Sequence, residues 1–242
     1  MTVTVPETTL KVLNKASVEK VGETYSTSQM LKVRGMTRAA IHEIAARVKP
    51  GMVEEDAVEM AQDILAESGM IRGWHTAYVR FGTNTTKTFG AASDPGVVLG
   101  ADDIFLIDIG PVFEEWEGDG GDTFVTGIDA DKARCAADAR KLFHIVRKQW
   151  QAEQATGRTL YEFAVAAAQR MGWELNMDLS GHRISEFPHE AHYPGPMADV
   201  DFTPSSGPLW VLEIHIRHPT QKFGAFYEDM LLDDNYFHDN KA

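Results

Sequence analysis

The chain has 242 residues, 43% of them hydrophobic and 24% charged, a globular composition with enough length for one large domain. A formal charge of -13 with no basic stripe excludes a nucleic-acid partner, which needs lysine and arginine to displace counterions. No apolar run approaches the roughly 20 residues of a membrane span, the N-terminus shows no secretory signal, and the single Cys135 excludes an internal disulfide framework, so a cytoplasmic or otherwise reducing location is expected.

Residues 1–25 alternate Thr, Val, Glu and Lys without a sustained period and read as an N-terminal arm, with one domain over 26–242. Over 26–48 the apolar positions Met30, Val33, Ile41, Ile44, Ala45 and Val48 fall at helical spacing, and Lys49-Pro50-Gly51-Met52 stops the helix. A second helix is expected over 54–67, ended by Ser68-Gly69. Residues 76–90 are rich in β-branched and aromatic side chains broken by Gly82 and Gly90, the pattern of short strands and turns. Two strands follow, 104–110 and 122–126, joined by an acidic loop into a hairpin whose aspartates, Asp108 and Asp122, can meet across the sheet. Helices over 130–156 and 160–171 precede strands over 210–216 and 225–232.

A carboxylate inside an apolar strand is costly to bury without a partner. Asp108, Glu213 and Glu228 all occupy such positions, with a further aspartate in the hairpin and a histidine in Gly181-His182. Taken singly, each reads as an ion pair or a strand-end charge. Together they read as ligands. Carboxylates favour hard divalent cations, and one imidazole moves the preference toward manganese, cobalt, iron or zinc rather than calcium. Two ions about 3.5 to 4 Å apart need bridging carboxylates, which suits four acids and one histidine.

The ordered series IDIG at Asp108, GDTF at Asp122, GH at His182, LEI at Glu213 and FYED at Glu228 resembles the pita-bread metallohydrolases, which include methionine aminopeptidase, Xaa-Pro aminopeptidase, prolidase and creatinase. The resemblance runs from about Met30 to Leu232. It implies an α+β pita-bread fold, a curved antiparallel sheet covered by helices in a single domain. It also implies a hydrolase of amide or peptide C–N bonds, an aminopeptidase of the Xaa-Pro type being its most familiar form, acting on a small peptide or amide. Two divalent metal ions (Mn, Co, Fe or Zn) are implied per chain. Asp108 would bind one, Asp122 and Glu228 would bridge both, and His182 and Glu213 would complete the other shell. Glu213 would pass the proton of the attacking water, and His189 would donate to the substrate carbonyl. A homodimer is a further expectation from the Xaa-Pro branch. A small-molecule amidohydrolase of the creatinase kind and a non-catalytic interaction module are the alternatives.

This chain departs from the pattern at three places. The family's two aspartates usually lie eleven residues apart; that spacing lands on Asp119, whereas the GDT context lands on Asp122, and Asp122 is preferred with a longer hairpin loop. The peptidases' upstream histidine lies about 17 or 18 residues before the first aspartate, where this chain has Phe89-Gly90-Ala91-Ala92, so His75 becomes a candidate to reach the site from another direction or to pack beside Trp74. Arg183 stands where the peptidases commonly have glycine. With Arg217 and His218 it either pairs with a substrate carboxylate or answers nearby acids. His192, His215 and Tyr227 are candidates to line the pocket.

Overall fold

The structure is a computed structural model that describes residues 14–188 and 193–236. In chain order it contains α1 (Lys15–Val18), α2 (Thr27–Arg47), α3 (Glu54–Glu67), β1 (Arg72–Gly73), β2 (Tyr78–Phe81), β3 (Ile104–Ile109), β4 (Pro111–Phe113), β5 (Trp116–Glu117) and β6 (Gly120–Val125). α4 (Ala130–Glu153), α5 (Gly157–Arg170), β7 (Glu174–Leu175), β8 (His182–Arg183), β9 (Trp210–Arg217) and β10 (Gly224–Met230) follow. The helices begin where the side chains can cap them: Ser26, Asp129 and Thr156 each accept a hydrogen bond from the first turn of α2, α4 and α5. The helix expected to reach Thr156 stops at Glu153, because Gln154 turns left-handed (φ 51°) and Thr156 opens the next helix.

Among the described residues seven strands form one antiparallel sheet in the order β2-β3-β6-β10-β9-β7, with β8 on β9, and β1, β4 and β5 form a smaller one. Strand residues alternate between faces, so register decides where each carboxylate points. Asp108 lies opposite Gly121, Gly121 opposite Glu228, and Glu228 opposite Glu213. Four neighbouring strands therefore carry one row across the sheet, with three acids on the same face and a glycine in the gap.

The opposite face meets the helices. Leu212, Ile214 and Ile216 of β9 and Tyr227 of β10 pack with Leu142, Phe143 and Val146 of α4 and Leu160 and Ala164 of α5. Val79, Phe81, Ile107 and Ile109 pack with Ile41 and Ile44 of α2 and Ala57 and Ala61 of α3. Two acids interrupt this apolar layer, and both are neutralised. Arg34 of α2 holds Asp229 through two bonds of 2.6 and 2.7 Å, with side chains only 6% and 1% exposed. Asp122 is gripped by Arg38 at 3.2 Å and Arg140 at 2.7 Å, and the Arg38 guanidinium lies over the Tyr227 ring.

Residues preceding α2 are tied down by Arg183, whose guanidinium donates to the carbonyls of Val18, Lys20 and Leu209. Glu19 adds a bond from the Trp210 indole. Asp229→Ala leaves Arg34 with its buried carboxylate partner removed. Urea denaturation should show a loss of about 3–5 kcal/mol; a loss under 1 kcal/mol would mean that the pair contributes nothing beyond its apolar surroundings.

Candidate metal centre

The acidic row floors a cavity of about 660 Å³ lined by Asp108, Asp119, His75, His182, Glu213 and Glu228, with Trp74, Phe89, Met177, Leu179, Pro194 and Pro196 among its apolar walls. Asp119 precedes β6 by one residue and Gly121 by two, so it shares the Gly121 face and enters the cavity. Asp122, one residue beyond Gly121, must point the other way. Its partners Arg38 and Arg140 confirm the direction. The preference for Asp122 is therefore corrected: the carboxylate gathered with Asp108, His182, Glu213 and Glu228 is Asp119. The eleven-residue spacing lands on the carboxylate that faces the cavity, whereas the GDT context identifies the strand without its parity.

Asp119 is the centre of the arrangement. His182 Nε2 lies 2.8 Å from its Oδ2 and 3.6 Å from Glu228 Oε1. His75 Nε2 lies 3.4 Å from its Oδ1 and 3.6 Å from Asp108 Oδ1. Two trios result, His75-Asp108-Asp119 and Asp119-His182-Glu228, each with its donor atoms within 4.8 Å of one another. Glu213 stands at the edge of the second, its Oε2 accepting from the Gly181 amide at 2.8 Å.

The electrostatics are those of a site short of positive charge. Burial, with Asp119 and Glu213 nearby, pushes Asp108 up to about 7 despite His75. Burial and neighbouring carboxylates also raise Glu213, and hold Glu228 well above the usual range. Burial opposes charge on Asp119 as well, but the two facing imidazoles outweigh it and hold this carboxyl below its ordinary value. Burial lowers both histidines, yet the acids win, raising His75 to about 9 and His182 well above the usual value. Protons stand here in place of other cations, and a metal entering the cluster displaces them.

The residues fit such an ion on a separate ground. Glu228 Oε2 is buried without any hydrogen-bond partner, while Asp119 Oδ2 meets the His182 imidazole at 2.8 Å. A buried carboxylate oxygen left bare is expensive, and a divalent cation among hard oxygen donors and an imidazole removes that cost.

A protein-family model described as metallopeptidase family M24 matches residues 28–233. The chain belongs to this family. Its fold is correspondingly the pita-bread fold expected from the motif order. Among solved structures it is similar to a prolidase from Pyrococcus horikoshii OT3, with TM-score 0.68 and 18% identity over 87% of this chain and 59% of that one. It is also similar to an X-Pro aminopeptidase from Thermotoga maritima MSB8, with TM-score 0.65 and 18% identity over 92% and 62%. A methionine aminopeptidase from Thermotoga maritima aligns over 93% of this chain and all of its own length, with TM-score 0.62 and 14% identity. The chain thus spans less than two thirds of the prolidase and the X-Pro enzyme. No curated protein sequence matches it.

Against the family pattern, several expected pocket residues lie elsewhere. Arg183 faces the N-terminal segment, and neither Arg217 nor His218 lines the cavity. His218 stacks on Trp173 and Phe223 instead. His215 is buried against the Thr85 carbonyl and Asn176, and Tyr227 lies on the helix face beneath Arg38. His189 and His192 fall outside the described residues. His75 does reach the site, a residue that motif order alone had left between two readings.

Titrating the apo protein with manganese should separate the two aspartates. Asp119→Asn is expected to weaken divalent binding by more than roughly 100-fold, whereas Asp122→Asn, remote from the cavity, keeps it within a few-fold. The reverse pattern would restore Asp122 as the ligand.

Proposed function

We propose that this protein hydrolyses a peptide or amide C–N bond using two divalent metal ions, and that it is an aminopeptidase of the Xaa-Pro type. The observation that carries the reading is Asp119, a buried carboxylate presenting one oxygen to each of two histidine-containing trios, as a bridge between two cations must. Carboxylates with imidazole favour manganese, cobalt, iron or zinc. When bound, such ions supply a water acidified enough to attack near neutral pH and polarisation of the substrate carbonyl.

The chain's own residues would do the rest. Asp108, Asp119, His182, Glu213 and Glu228 form the ligand set of this reading. Glu213, oriented by the Gly181 amide, accepts the proton of the attacking water and returns it to the leaving nitrogen. His189 is assigned the hydrogen bond to the substrate carbonyl on its place in the sequence. The apolar walls exclude water and seat a compact side chain or proline ring.

Charge favours an aminopeptidase over an enzyme gripping a free carboxylate. Among the described residues the cavity lining holds no lysine or arginine, while Asp178 joins the acids. A substrate ammonium is therefore better matched than a substrate carboxylate. A cytoplasmic location belongs to the same reading. The lone Cys135 is buried, its thiol pushed by that burial to about 12, and no described helix is long and apolar enough to cross a membrane.

The decisive assay is metal content of purified protein, followed by turnover of Xaa-Pro, Met-Xaa and small-amide substrates with manganese, cobalt, iron or zinc. Near two ions per chain, and Xaa-Pro cleavage abolished by chelation and restored by metal, is the expected result. Two ions with turnover of small amides alone would move the function to an amidohydrolase, and no ion under any loading would end the hydrolytic reading.

A further inference from the structure

The Trp74-His75 segment contributes an imidazole for which the family's single-histidine ligand order has no place. His75 Nδ1 lies 2.8 Å from the Thr76 carbonyl oxygen. A carbonyl only accepts, so Nδ1 carries the proton and, in the neutral ring, Nε2 presents its lone pair. Nε2 faces Asp119 Oδ1 at 3.4 Å and Asp108 Oδ1 at 3.6 Å. In the metal-free protein a proton on Nε2 bridges these atoms, and a divalent ion takes that place once Nε2 is deprotonated.

His182 repeats the arrangement. Its Nδ1 lies 2.8 Å from the Arg183 carbonyl oxygen, and its Nε2 faces the other oxygen of Asp119. In both residues the carbonyl of the next residue fixes the tautomer, the usual orientation of a metal-binding imidazole. The seat for His75 is built as well. A Cβ on Gly110 would come within 2.1 Å of the His75 ring, so the glycine closing the IDIG motif is what admits it. Trp74 sits against both imidazoles, with centroids 4.4 Å from His75 and 5.4 Å from His182, and its indole is fixed to the Gly118 carbonyl at 2.9 Å. The His75 side chain is 6% exposed, which suits a ligand set into the cavity floor.

We propose that His75 is a sixth metal ligand, binding through Nε2 beside Asp108 and Asp119, so that each of the two ions takes one imidazole and they share Asp119. This rests on the dinuclear reading above and adds nitrogen to a shell that the family pattern leaves to carboxylates.

The test is titration of the apo protein with cobalt(II), followed by calorimetry and by the visible absorption of the bound ion. Wild-type protein, His75→Ala, His75→Gln and Gly110→Ala are compared, with the far-UV circular dichroism of each apo form confirming the fold. Wild-type protein should take two ions. His75→Ala should weaken one of them by roughly 100-fold and change the cobalt band. His75→Gln should recover part of that affinity through its amide oxygen, and Gly110→Ala, which displaces the ring without deleting it, should weaken the same ion. Two ions bound by His75→Ala with wild-type affinity and spectrum would overturn the sixth ligand while leaving the dinuclear hydrolase intact. Wild-type protein binding no cobalt would overturn both.

Discussion

Everything in this molecule depends on the desolvation of carboxylates aligned on one face of an antiparallel sheet. Asp108, Glu228 and Glu213 occupy adjacent strands at matched register, and Asp119 enters from the end of β6 two residues before the glycine that completes the row. None could remain charged in an apolar interior alone. The sheet thus creates an electrostatic debt that only a cation, proton or metal, can settle. The IFLIDI and WVLEIHIR strands are apolar enough to drive folding, and they deliver acids to the same place because alternation permits nothing else.

The two faces solve the same problem differently. Beneath the sheet, Asp229 and Asp122 are answered by guanidinium groups from α2 and α4, whose forked donors satisfy the carboxylates within the protein. Above it no arginine or lysine lines the cavity among the described residues, and Glu228 Oε2 stays bare. An arginine there would neutralise the acids permanently and fill the space. Leaving the neutralisation to exchangeable ions keeps the cavity open and reactive. The arginine layer is therefore a structural counterpart of the site: it lets an acid such as Asp122 sit one position from the cavity face without drawing an ion to the wrong side.

Much of this was legible in the sequence, and the failures have physical causes. Helix periodicity placed α2 and α3 to within a residue at each end, and carboxylates inside apolar strands singled out Asp108, Glu213 and Glu228. His182 followed from motif order and lies in the cluster. Asp119 and Asp122 could not be separated by composition or context, because they differ by an odd number of positions and only strand register assigns a face to each. Arg183 was open between pairing with a substrate carboxylate and answering nearby acids; the next position on a strand points away from its neighbour, and its guanidinium ends among backbone carbonyls instead. Pattern reasoning left His75 open between reaching the site and packing beside Trp74, and it does both. It arrives on a segment beside the small sheet, and the feature that admits it is the missing side chain of Gly110.

The cavity wall beside His75 is held by one further buried cation. Arg80 of β2 sends its guanidinium to the carbonyls of Lys87, Thr88 and Ala91, at 2.8, 3.0 and 2.6 Å, and so fixes the loop over 87–91. In the peptidase pattern that stretch supplies a histidine to the substrate. Here the fixed loop instead turns Phe89 to the cavity, with its ring 5.4 Å from His75 and 5.6 Å from Tyr78. The aromatic ring packs edge-on against an imidazole that already faces two acids. With an aromatic ring packed against it, the His75 imidazole keeps Asp108 and Asp119 as its facing acids.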